Sequence, residues 1–181
     1  MRTSSSRGFT LIELLIVVAI IGIIAAVAVP GLLRARSSAD EASAIASLRI
    51  VNSSQHAYMN SCGNGFYASS LTILGDPAPS GTAFISPDLS AADVVTKSGY
   101  TLTLAEGSEA TPAVRDGCNP SGTAANLFSS YYATNQPQMA SQTGTRWFFT
   151  NTAGAIYVGS SDVFDGETAG NHPPGSGHIL Q

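Results

Sequence analysis

The chain has 181 residues, with twelve acidic against eight basic side chains and a formal charge of −4. That length suits one domain, and the acidic balance removes the global field that nucleic-acid binding draws on, so no nucleic-acid partner is expected. Composition then shifts along the chain, from a nearly uncharged apolar start to a stretch after Cys62 rich in Gly, Ser, Thr, Asn and Pro.

The first eight residues carry Arg2 and Arg7. Residues 9–29 follow with Glu13 as their single charge. At about 1.5 Å per residue these positions would cover roughly 31 Å as a helix, close to the thickness of a bilayer core. One reading is a secretory signal cut at Ala26-Val27-Ala28, which predicts a product starting at Val29. Against it, the apolar run is longer than such signals use, and a carboxylate within it costs up to roughly 3 kcal/mol at the bilayer centre. Glu13 therefore needs a reason.

That reason comes with a motif. Gly8 followed by "FTLIELLIVVAIIGIIAAVAVPGLLRAR" resembles the amino-terminal segment of type IV pilins and of the pseudopilins of type II secretion systems, over about residues 7–60. The resemblance implies that residues 1–8 are a cytoplasmic leader, that a prepilin peptidase cuts after Gly8, and that the new terminal amine of Phe9 is methylated. Glu13 falls on the acidic position of that family. Cutting after Gly8 would create an ammonium on Phe9, and an ionised acid in hydrocarbon is tolerated when an opposite charge shares its space. The four-residue offset allows a pairing within one subunit, but a helix start frays, and the ammonium of a neighbouring copy is the better-placed partner. Such a pairing, Glu13 to Phe9, drives assembly. The arginines do not settle orientation by themselves, since Arg2 and Arg7 precede the span while Arg34, Arg36 and Arg49 follow it.

Pro30 and Gly31 end the oily span, and proline lacks the donor for a bond to Ala26, so a bend or local melting is expected there. The resemblance adds that the stretch from Gly22 to Pro30 can lose helical bonding inside a filament. Residues 30–60 then continue as an amphipathic helix, with Leu32, Leu33, Ala35, Ala39, Ala42, Ile45, Ala46, Leu48, Val51 and Met59 as its apolar stripe. One helix from 9 to about 60 results, oily all round in its first half and two-faced in its second.

Residues 61–181 read as an α+β head with a Gly/Pro-rich tail. Ser86-Pro87-Asp88 predicts a capped helix running through Val95 and Lys97 to a stop at Gly99. Tyr100–Leu104 alternates as a half-buried strand, Leu127–Ala133 and Arg146–Thr150 read as two more, and Asn151–Gly154 supplies a turn into Ala155–Val158. An antiparallel sheet laid on the long helix is the arrangement expected. "SGYTLTL" and "TGTRWFFTNTAGAIYV" also resemble head strands of this pilin and pseudopilin group. Cys62 and Cys118 are the only cysteines, and an extracytoplasmic head meets oxidising conditions, so they are expected to be bridged.

No nucleophile, metal or phosphate motif is found. His56, His172 and His178 are too scattered for a metal cage. Asp162, Asp165 and Glu167 offer oxygens that major pseudopilins use for calcium near this end, but their spacing is no recognised calcium loop and a solvated acidic tail is the reading taken. No catalytic residue, cofactor or metal is therefore expected. The resemblance implies a homopolymer, bound to lipid before assembly, drawn from the bacterial inner membrane by an assembly platform with minor pilins, and ending as a surface pilus for adhesion or motility. The alternatives are a short pseudopilin filament in type II secretion, or an anchored enzyme or binding module.

Overall fold

The computed structural model describes residues 8–159 and 177–180. Its longest element is the helix α1, Leu11–Ser61. The chain divides into two compact units, Met1–Arg36 and Ser37–Gln181, with α1 continuous across the division. In the first unit every described side chain is exposed, from Gly8 to Arg36. The helix passes through Gly22 and Pro30 without a break, so no melted turn interrupts it where the sequence suggested one. A proline forfeits its own bond to the carbonyl four residues back, while the bonds of its neighbours can hold the helix on either side.

The second unit begins with Ser37–Ser61 of α1 and continues through β1 (Tyr67–Ala68), α2 (Leu71–Gly75), α3 (Pro87–Ser90), β2 (Val94–Lys97) and β3 (Tyr100–Glu106). A 3-10 turn at Ala124–Asn126 leads into β4 (Leu127–Phe128), followed by β5 (Tyr131–Pro137), β6 (Trp147–Asn151), β7 (Ile156–Gly159) and β8 (His178–Ile179). Among the described residues, six strands form one antiparallel sheet in the order β2-β3-β5-β6-β7-β8, and β1 pairs with β4 in a separate ribbon. The fold is α+β, a long amino-terminal helix whose second half packs on an antiparallel sheet.

Two sequence readings are corrected here. The helix expected from Ser86 to Lys97 stops at Ser90, and Val94–Lys97 is instead the edge strand of the sheet. Its β-branched residues alternate across the sheet, and Ser98 and Gly99 both take positive φ (50° and 70°), the two-residue hairpin turn whose twist matches its strands. Ser86 occupies the cap position of α3, yet its side chain makes no capping bond. The single strand expected over Leu127–Ala133 is two, because Ser129 and Ser130 interrupt it. The expected hairpin of β6 and β7 is present, with Gly154 at φ 75° and its N–H bonded to Asn151 O.

The helix face on the sheet also differs from the apolar stripe. Ala39, Ala42 and Ala46 are exposed, whereas Glu41, Ala44, Ser47, Leu48, Val51, Asn52, Ser54, Gln55 and Tyr58 are buried. Leu48, Val51 and Tyr58 enter the core with Leu102, Leu104, Tyr131, Ala133, Phe148 and Val158 of the sheet. Burying each large side chain stabilises by about 1.5–3 kcal/mol.

The charged member of that face, Glu41, is only 6% exposed. Its carboxylate accepts from Thr145 N (3.0 Å) and from Arg146 Nε (2.7 Å), and lies 2.6 Å from Arg146 Nη2. Burial pushes the Glu41 carboxyl up, but the Thr145 and Arg146 hydrogen bonds and the Arg146 charge outweigh it and hold the group below its ordinary 4.5. A depressed folded value means that the unfolded chain takes up protons first. The pair therefore stabilises fully above about pH 4.5 and is lost as pH falls through the lower folded value. Glu41→Gln is expected to cost about 1–2 kcal/mol at pH 7 and to flatten the acid limb of a stability-against-pH curve, as urea unfolding between pH 3 and 7 would measure.

Candidate functional site

At the amino-terminal end, residues 8–10 are non-helical and Phe9 is 77% exposed. Thr10 caps the helix. Its Oγ1 accepts from Glu13 N (3.3 Å), while its own N–H and hydroxyl donate to Glu13 Oε2 at 2.9 and 2.7 Å. This is the reciprocal capping box of a T-x-x-E sequence, which satisfies orphan donors at a helix start. Glu13 thus has a local partner that sequence reasoning missed, although the spelling Thr10-Leu11-Ile12-Glu13 carries the signal. The structure gives Glu13 no bond to Phe9, whose nitrogen here belongs to the intact peptide bond from Gly8.

From Leu11 onward the helix is long and apolar enough to cross a membrane. Leu14, Leu15, Val18, Ile21 and Ile24 are all more than half exposed. Uncovered in water, each such side chain would forgo about 1.5–3 kcal/mol. The surface is made to be covered by lipid or protein. Gly22 and Pro30 lie in this run, and a Cβ at Gly22 would meet nothing within 4 Å.

The other end of the helix is fastened covalently. Cys62 and Cys118 form a disulfide as expected, their Cα atoms 4.7 Å apart. Around it, Tyr58 donates its hydroxyl to Asn119 Oδ1 (2.8 Å), and Asn119 Nδ2 donates to Ile73 O and Asp76 O. Ser121 completes the knot by donating N–H and Oγ to Asp76 Oδ2. Burial, with the nearby Asp76 charge, pushes the Tyr58 hydroxyl up to about 12, so it stays protonated and a donor. Gly117 and Gly122 press on the Tyr58 hydroxyl, and Gly63 on the Phe66 carbonyl and the edge of the Tyr58 ring, so that none has room for a side chain.

Chemistry beyond these contacts is sparse. An open groove of about 420 Å³ beside the bridge is lined by Ser61, Pro79, Ser80, Thr82 and Phe84 among others, with no acid or base in its wall. His56 is exposed on α1 with its ring 6.1 Å from that of Tyr67, and His178 is exposed on β8. No group of three His, Cys, Asp or Glu able to hold a metal occurs among the described residues. His172 and the acidic run Asp162, Asp165 and Glu167 lie outside the described residues.

Comparison with known proteins bears on the amino-terminal segment. Residues 3–29 match the family model of the prokaryotic N-terminal methylation motif. The chain is 42% identical over 55 residues to the type IV major pilin protein PilA of Myxococcus xanthus, a match covering 30% of this chain and 25% of that protein. It is 62% identical over 37 residues to the type IV wide pilus major component PilA4 of Thermus thermophilus, covering 20% of this chain and 28% of that one. The chain therefore spans little more than a quarter of the curated relatives it matches. No solved structure matches it.

Proposed function

We propose that this chain, whose amino-terminal segment is of the type IV pilin family, is the structural subunit of a type IV pilus. The observation that carries the reading is a coincidence of position: the methylation motif, 3–29, overlies the exposed apolar helix that starts just after Gly8 and holds Glu13 in its first turn. In this reading residues 1–8 are a leader, residues 9–29 cross the inner membrane, residues 30–60 carry the helix onward, and residues 61–181 form the head. A prepilin peptidase cuts between Gly8 and Phe9 and the Phe9 amine is methylated.

The freed ammonium and Glu13 of a neighbouring copy then neutralise one another as lipid gives way to packed helices. The exposed surface of the first unit is the contact between copies, and Gly22 to Pro30 is where that helix loosens on assembly. Partners are copies of the same chain, the peptidase, the membrane assembly platform and minor pilins. The protein resides in the inner membrane before assembly and on the cell surface afterwards, serving adhesion or motility. The two relatives named above are both major pilus components, which favours a pilus over a secretion filament.

Amino-terminal sequencing and mass analysis of the exported product test the reading. The expected result is a chain beginning at methylated Phe9. A product beginning at Val29, or one that retains its first eight residues, would overturn it.

A further inference from the structure

Between Glu41 and Tyr58, α1 meets the sheet, the strand β1 and the segments beside them through side chains more polar than helix packing requires. Asn52 donates to Thr150 Oγ1 (2.9 Å) and Gly154 O (3.1 Å), and its Oδ1 accepts from the Tyr131 hydroxyl (2.9 Å). Gln55 makes a two-way bond with one residue, donating to Ala68 O (2.7 Å) and accepting from Ala68 N (3.0 Å). Ser54 donates to Phe84 O (2.7 Å). Asn135 reaches from β5 to donate to Ala44 O (3.1 Å), while its own buried Oδ1 has no partner among the described residues. With the Glu41 pair, these ties span from the first buried turn of α1 to nearly its last.

We propose that these buried polar side chains form a register key that fixes the position of the helix along and about its axis on the rest of the second unit. Apolar contact alone does not select one seat. A slip of three residues would put Ile45, Leu48 and Val51 where Leu48, Val51 and Ser54 now lie, so each of those seats would again hold an apolar side chain, at some cost in packing. The same slip strands Asn52, Gln55 and Glu41. A buried amide left unpaired is costly and an unpaired charge more so, so every seat but one is penalised at several points together. A single buried polar residue can set register in paired helices by the same physics. Here at least three do so, and the bridge at Cys62 closes afterwards on a helix already in place.

The consequence for assembly rests on the filament reading, whereas the register itself does not. Three residues of helix rise by about 4.5 Å, so such a slip would set a head that far off its neighbours along a fibre. The key gives residues 41–58 the same seat in the second unit of every copy.

The test uses the full chain in detergent micelles, as monomers, so its outcome is independent of whether filaments form. The protein is reduced, allowed to reoxidise, alkylated and weighed, and amide exchange over residues 41–58 is followed. A variant with Glu41→Leu, Asn52→Leu and Gln55→Leu is expected to keep its helix content. Its exchange over that span should quicken at least roughly tenfold, with fewer than about half of the molecules re-forming the Cys62–Cys118 bridge. Leu48→Ala, which weakens packing and leaves the key intact, should re-form the bridge fully. Complete bridging with unchanged exchange in the triple variant would overturn the proposal, as would equal loss of bridging in Leu48→Ala. If the triple variant does not fold, Asn52→Leu with Gln55→Met is read by the same criteria.

Discussion

Glu13→Leu is expected to leave the protein inserted in the membrane and to abolish most of its filaments. Insertion survives because the substitution removes the one charge of residues 9–29 and puts an apolar side chain in its place. In the proposed filament, assembly suffers because the ammonium that cleavage would create on Phe9 would then enter the packed interior without a counter-charge. Removing one partner of a buried pair costs about 3–5 kcal/mol, which lowers association by a factor of roughly a hundred or more. The capping box supplies a competing account, since Glu13 also bonds to Thr10 at the helix start. Losing a cap costs about 1 kcal/mol and is felt locally. Thr10→Val, which removes the cap and keeps the acid, separates the two. Shear-released filaments weighed against membrane-bound subunit should fall far more for Glu13→Leu than for Thr10→Val. Equal losses would leave Glu13 a cap and nothing else.

Replacing both cysteines by serine has the second largest expected effect, this time on the head. The bridge joins positions separated by 56 residues. In the chain-entropy account a loop of this size is worth about 4 kcal/mol, and removing native bridges from small domains costs about 2–5 kcal/mol. Here the loss spreads, because the bridged segment is also where Asn119 joins Tyr58 of α1 to the carbonyls of Ile73 and Asp76. With Cys118 freed, the Asn119 network would lose its covalent anchor and the end of α1 would fray from Tyr58 onward. Cys62→Ser/Cys118→Ser should lower the denaturant midpoint of the head strongly, with the fastest new exchange in residues 58–76 and 116–124. An unchanged midpoint would show that the polar ties alone hold the helix end.

Much of this architecture was legible before any coordinates. The oily helix needed only composition, and its head strands β3, β6 and β7 needed only alternation and turn residues. The bridge followed from there being two cysteines and one oxidising side of a membrane. The failures share a cause. The helix expected to reach Lys97 was read from the strong local start at Ser86-Pro87-Asp88, while Val94–Lys97 gains its strand from a partner, β3, that local propensity does not register. The apolar stripe of α1 holds Leu48 and Val51 of its buried face but misses the polar members, because stripe counting discards polar residues. Glu41, Asn52 and Gln55 are buried because Arg146, Tyr131 and Ala68 come to meet them, and those partners lie as far as 105 residues away in the chain. Thr10 differs, since a lone acid in an apolar run signals a charge to be paired more strongly than it signals a hydrogen-bond acceptor for its own helix start.

The wedge of Tyr58 among Gly63, Gly117 and Gly122 restricts how this protein can diverge. Any side chain at one of those glycines collides with the phenol or with its surroundings, and shrinking the phenol would leave a hollow and an Asn119 oxygen without its donor. Single changes at these four positions are all unfavourable, so descendants of this sequence would keep the quartet intact or exchange several of its members in one step. The seat of Tyr58 beside the bridge should therefore age as a block, while the exposed alanines across the same helix drift one at a time.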